Sequence, residues 1–129
     1  MVATTVQIQR IVQNFVRVTE PIIQVERIIL YGSYASNKAT EWSDIDIAIV
    51  SPSFRKLSNQ QVVNLLARAI VKCDNRLMPM AYTPAEFDSA PPYMFAAEIR
   101  RTGKVIYDVR RKSVHKRRTM RVKRKPVRT

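Results

Sequence analysis

The sequence predicts an α/β or α+β sandwich, one small sheet covered by helices, and three observations carry that prediction. Two short apolar runs rich in β-branched residues, 25–31 and 44–50, read as strands. Helical periodicity recurs around them, and the connections between the two kinds of segment are short. Hydrophobic residues make up 46% of the 129-residue chain, which suits a single core, and no internal repeat divides it.

The elements follow in order. Ile8, Ile11, Val12 and Phe15 form the apolar stripe of a first helix that ends near Pro21. Val25 to Tyr31 is a buried strand that stops at Gly32, and Ser33 opens a short helix. Asp44 to Val50 is the next strand. Ser58 and Gln61 make an S-x-x-Q capping box for a helix that packs Val62, Leu65, Leu66, Ala69 and Ile70 on one face and stops near Asp74. Arg76 to Tyr82 is a third strand, and Pro79 within it removes a ladder donor, which puts it at an edge or a bulge. Thr83, Pro84 and Glu86 form a second capping box with proline at the first helical position. After Pro91-Pro92 a helix runs through Met94, Phe95, Ile99 and Arg100 until Gly103 caps it, and Val105 to Tyr107 returns as a short strand.

The chemistry is concentrated in the pattern Gly32-Ser33-x10-Asp44-x-Asp46. Glycine lets the backbone turn sharply and approach a ligand, while the Ser33 hydroxyl and the free amides of a first helical turn point donors at a phosphate. Asp44 and Asp46 are the only charges on their strand. Side chains alternate along a strand, so both carboxylates project from one face, about 6 to 7 Å apart, and Ile45 and Ile47 enter the opposite layer. Two carboxylates so close at a buried strand end need a counter-charge. Hard oxygen ligands of this kind suit Mg2+, as one ion with substrate phosphates or as a pair that clamps the attacking and leaving oxygens of a phosphoryl displacement. Asp44 and Asp46 are the candidate catalytic and metal residues, and Gly32 and Ser33 the candidate phosphate-binding residues.

Through Leu30 to Ala35, Ser43 to Ala48 and Tyr82 to Phe87, the chain resembles the minimal nucleotidyltransferases of the DNA polymerase β-like superfamily, which pair with HEPN-domain proteins in toxin–antitoxin modules. The likeness covers residues 5–108. It implies an α+β, palm-like fold with a mixed sheet, Mg2+ and ATP or another nucleoside triphosphate as ligands, and transfer of AMP to a hydroxyl, often a tyrosine of the HEPN partner. Active members of that family carry a third carboxylate on the next strand to help activate the acceptor. The Thr83 to Phe87 match places that position at Met78, and no acid occurs between Arg76 and Tyr82. Ser36-Asn37 stands where many members have Arg-Gly. Asn37 can keep a left-handed turn there, and Lys38 is available as a point charge in place of the arginine.

Composition excludes several classes. No run approaches the roughly 18 apolar residues of a membrane span, and the amphipathic first 20 residues carry no signal-peptide core, so a cytoplasmic domain is expected. The single cysteine, Cys73, rules out an intrachain disulfide and reads as a structural thiol. The formal charge is +13, and residues 109–129 hold eleven Lys/Arg and no acid, against twelve Lys/Arg and ten acids before them. A tail so basic should be disordered alone and should bind a polyanion non-specifically, with Arg117, Arg118, Lys123, Arg124 and Lys125 as candidate nucleic-acid contacts. It has no aromatic side chain for base stacking, and His115 within it reads as solvated. Three functions fit: a nucleotidyltransferase of residues 1–108 with a basic tail, a nucleotide-binding relic that acts by protein association, and a nucleic-acid-binding protein.

Overall fold

Among the described residues, reciprocal capping starts three of the four α-helices. Thr4 accepts from the Gln7 amide at 3.1 Å while the Gln7 side chain accepts from the Thr4 amide at 2.8 Å. Ser58 with Gln61 and Thr83 with Glu86 repeat the arrangement at the same distances. Each pair satisfies two amides that a helix start or its cap would otherwise leave open. Three of the helices that result are α1 (Thr5–Thr19), α2 (Asn59–Cys73) and α3 (Pro84–Asp88), so Glu86 is a cap as its spacing predicted. The fourth, α4 (Phe95–Thr102), starts at Met94 without a side-chain cap and ends at Gly103. The computed structural model describes residues 2–111. The basic-tail residues Arg117, Arg118, Lys123, Arg124 and Lys125, with His115, lie outside the described residues.

Among the described residues four strands make one sheet: β1 (Arg27–Tyr31), β2 (Ile45–Val50), β3 (Leu77–Tyr82) and β4 (Lys104–Asp108), in the order β3-β2-β1-β4. β1 lies antiparallel to β2 and to β4, while β3 runs parallel to β2, so the sheet is mixed. The parallel pair needs a crossover, and α2 supplies it. β3 occupies an edge, where the missing amide of Pro79 costs least.

Alternation along the strands splits the interior into two layers. Ile28 and Leu30 of β1 and Ile45, Ile47 and Ile49 of β2 pack under α1 and α2, with Val12, Phe15, Leu65 and Ala69. Ile29, Ala48 and Val50 face the other way and pack with Phe87, Ala96, Ala97 and Ile99 of α3 and α4. In α4 the buried face is Ala96, Ala97 and Ile99, while Phe95 is 53% exposed. The small alanines let this short helix approach the sheet closely, which leaves the phenyl ring on the surface.

Gly103 marks the tightest approach. A methyl group there would sit 2.5 Å from Ile29 Cγ2 and 2.7 Å from the Ile99 carbonyl oxygen. Gly103→Ala should therefore overpack the junction of α4 and β4, costing about 1–3 kcal/mol and lowering the melting temperature by several degrees. Thermal unfolding followed by circular dichroism checks this, and an unchanged melting point would refute it.

Candidate active site

β1 delivers Tyr31 in an extended conformation, and the chain then turns at Gly32 with φ +75°. A side chain is disfavoured there twice over. The backbone is left-handed, and a Cβ would collide with the Asp46 carboxylate oxygen. Register explains the proximity, because Tyr31 is paired with Asp46 across the β1–β2 ladder.

The segment after Gly32 is tighter than the helix expected at Ser33. It is a single 3-10 turn, Gly32–Tyr34. The Gly32 carbonyl accepts from the Ala35 amide at 3.1 Å and the Ser36 amide at 3.2 Å, and the Ser33 carbonyl accepts from the Lys38 amide at 2.9 Å. Asn37 follows with φ +60°, the left-handed position foreseen for it. Two left-handed residues five apart close the chain on itself, so no α-helix fills the interval before Asp44.

Asp44 also departs from expectation. The strand begins at Ile45, whose amide donates to the Arg76 carbonyl at 2.8 Å, and Asp44 precedes it as an exposed residue. The ladders run out there: β1 ends opposite Asp46, and β3 begins opposite Ile45. Asp46 is half-buried, so the two carboxylates do not share a buried strand end. They are nevertheless electrostatic neighbours. Burial raises the Asp46 pKa above the ordinary carboxylate value, and the charge of Asp44 raises it further.

Gly32 and Asp46 line one open cleft of about 460 Å³, together with Tyr31, Ser36, Phe95 and Glu98. Ser33 and Asp44 are not among its lining residues. The sequence pattern did not single out Tyr31, Phe95 or Glu98 as site residues. The tyrosine precedes the glycine directly, and the other two lie three apart on one helix face, which is visible only once α4 is known to cross the sheet. Tyr31 and Phe95 meet edge to face, ring centres 5.6 Å apart. Burial, helped by Asp46 and Tyr82, pushes the Tyr31 pKa up to about 12, so its phenol is a hydrogen-bond donor at neutral pH and not a base. Met78 lies beside Asp46 in the β2–β3 register and is 50% exposed. Cys73 has its thiol pKa raised, chiefly by burial, as a structural thiol should.

The donor set fits a divalent cation with few protein ligands. Neither Asp44 nor Asp46 makes an ion pair with any described residue, so their mutual repulsion is uncompensated. No group of three or more His, Cys, Asp or Glu that could hold a metal occurs among the described residues. Two carboxylates alone fit only a cation such as Mg2+ that keeps waters and takes its other ligands from substrate phosphates.

The mixed four-stranded sheet with its helices is the fold of a nucleotidyltransferase domain. The chain belongs to the nucleotidyltransferase domain family, whose pattern matches residues 10–117. It is similar to a candidate protein adenylyltransferase of Methanocaldococcus jannaschii, 29% identical over 79 residues, which is 59% of this chain and 80% of that one. Among solved structures it is similar to a candidate nucleotidyltransferase from Sulfolobus solfataricus, with TM-score 0.55, 17% identity, and 79% of this chain and 78% of that chain covered. A toxin–antitoxin structure with AMP-PNP is also similar, with TM-score 0.53 and 19% identity, and covers 85% of this chain and 91% of that chain. Among the described residues no helix is long and apolar enough to cross a membrane.

The raised Asp46 pKa has a consequence for stability. Its folded-state value lies above its unfolded one, so the stability it contributes is present below the unfolded pKa and is lost as pH rises through the folded value. Asp46→Asn should therefore raise the metal-free melting temperature at pH 7, with the gain vanishing below about pH 4. Mg2+ should stabilise the wild type and not the variant. Equal Mg2+ stabilisation of both in a thermal-shift titration would remove Asp46 from the ligand set.

Proposed function

We propose that this chain is a Mg2+-dependent nucleotidyltransferase that moves AMP from ATP to a hydroxyl on a protein, of the kind a HEPN-domain partner would offer. The observation that carries the proposal is the contact of Gly32 with Asp46. A backbone turn without a side chain lies against a carboxylate that makes no ion pair with a described residue, at the wall of a cleft of nucleotide size. A relative named for protein adenylylation and a fold neighbour solved as a toxin–antitoxin with AMP-PNP support a protein acceptor.

In this proposal Asp46 and Asp44 hold the cation, and Gly32 and Ser33 receive the β and γ phosphates. When bound, the cation supplies charge stabilisation to the phosphoryl oxygens. Gly32 lets the triphosphate approach the end of β1 without steric hindrance, and Phe95 walls the cleft on the far side. The acceptor hydroxyl releases its proton to solvent, its oxygen bonds to the α phosphorus, the bond to the β-phosphate oxygen breaks, and pyrophosphate leaves with the electron pair. Tyr31, protonated at neutral pH, can donate a hydrogen bond but cannot take the acceptor's proton.

A second reading rests on Met78. The residue beside Asp46 on the neighbouring strand is a thioether that cannot accept a proton, which favours a nucleotide-binding protein with little turnover that acts through its partner. A missing general base typically lowers a rate by about 10² to 10⁴.

Incubation with α-labelled ATP, Mg2+ and a HEPN protein tests both. Transfer of label that disappears in Asp46→Ala supports the enzyme. If Met78→Glu raises transfer by about 10²-fold or more, the wild type is impaired as the second reading holds. Absence of nucleotide binding by the wild type in Mg2+ would overturn both.

A further inference from the structure

The charges of the described residues are sorted by face. Arginines at the ends of the sheet and on the cleft side are held by carboxylates: Arg27 by Asp88 at 2.8 Å, Arg76 by Asp74 at 2.8 Å and Arg101 by Glu98 at 2.6 Å. The opposite layer is different. α1 carries Arg10 and Arg17, the turn Pro52–Lys56 carries Arg55 and Lys56, α2 carries Arg68 and Lys72, and none of these segments contains an acid. All six cations are exposed, and none makes an ion pair with a described residue.

Helical geometry aims part of this set outward together. Arg10 and Arg17 are seven residues apart, hence on one face of α1 and about 10 Å apart along its axis. That face is turned away from the buried stripe of Ile8, Val12, Phe15 and Thr19. Arg68 and Lys72 are one turn apart on α2, which packs against α1. Exposed neutral residues on the two helices include Gln13, Gln60, Gln61 and Asn64, which add hydrogen-bond donors. Neither helix exposes an aromatic ring, since Phe15 and the nearby Phe54 are buried.

Val109, near the end of the described residues, lies on the same side. Val109 donates its amide to the Glu26 carbonyl at 3.0 Å and lines a groove with Val16, Glu20 and Pro52. The chain therefore departs beside the end of α1 and the start of the Arg55 and Lys56 turn. Residues 112–129 add nine further Lys/Arg and no acid. Two carboxylates, Glu20 at the C-cap of α1 and Glu26, also line this groove.

We infer that the α1–α2 face binds double-stranded nucleic acid through its phosphates, on the side of the sheet opposite the candidate active site. Unpaired cations with amide donors and no stacking surface match a backbone reader and do not match a base reader. Two arginines about 10 Å apart span about three base pairs of duplex, at 3.4 Å per charge on each strand. Binding is sequence-independent and falls steeply with salt, because each neutralised phosphate releases counterions.

The test is fluorescence anisotropy of the full-length chain with a labelled 20-base-pair duplex across a salt series. Arg10→Gln, Arg17→Gln, Arg68→Gln and Lys72→Gln are combined in one variant with the C-terminal segment intact. The expected result is a log–log salt slope about 3 to 4 units shallower than wild type and at least ten-fold weaker binding at low salt. Replacing Arg10, Arg17 and Arg68 by Lys in an otherwise wild-type chain keeps the charge and should preserve the slope. Mg2+–ATP binding of the Gln variant, measured in parallel, reports that the fold and cleft are intact. An unchanged slope and affinity in the Gln variant would overturn the inference and leave binding to residues 112–129. Failure of the wild type to bind duplex at low salt, with capture of an acidic protein in its place, would overturn it as well.

Discussion

The contact between Gly32 and the Asp46 carboxylate constrains the rest of the site. It requires β1 to end in register with Asp46, a left-handed turn in the next residue, and no side chain at that residue. Any other amino acid would have to displace the carboxylate or straighten the turn. Because the turn closes through Ser36, Asn37 and Lys38, the loop that carries Asp44 back toward Asp46 starts from a defined point.

One strand, β2, couples that corner to stability. Its Ile45, Ile47 and Ile49 are fully buried in the layer under α1 and α2, and its Asp46, Ala48 and Val50 face α3 and α4. A register slip of one residue would exchange the two sets and place a carboxylate in the isoleucine layer. The three isoleucines thus orient Asp46 without touching it. Ala48 and the alanines of α4 keep the second layer thin, so α4 lies close enough to the sheet for Phe95 and Glu98 to wall the cleft.

The sheet also separates two electrostatic surfaces. On the cleft side the carboxylates of Asp44 and Asp46 make no ion pair with a described residue, while Glu98 has Arg101. On the helical side Arg10, Arg17, Arg55, Lys56, Arg68 and Lys72 make no ion pair with a described residue. Such sorting keeps the basic residues from neutralising the pair of aspartates, which a cation site needs, and leaves a positive face for a polyanion. Met78 belongs to the first surface: its register beside Asp46 puts a soft, uncharged group where a third carboxylate would deepen the repulsion.

Local chemistry made much of this readable beforehand. Capping boxes at Ser58 and Thr83, the edge position implied by Pro79, the cap at Gly103 and the left-handed Asn37 each depend on a few neighbouring residues, so the sequence by itself determined them. The same holds for the opposed faces of Ile45 and Asp46, since alternation is a property of any strand. What needed the tertiary structure were relations between distant segments. Asp44 fell outside its strand because β1 and β3 end where they do, Ser33 entered a 3-10 turn because two left-handed residues closed the loop, and Phe95 and Glu98 joined the cleft because α4 crosses the sheet. Burial, register and the sorting of charge between faces are long-range quantities, and no short stretch of sequence contains them.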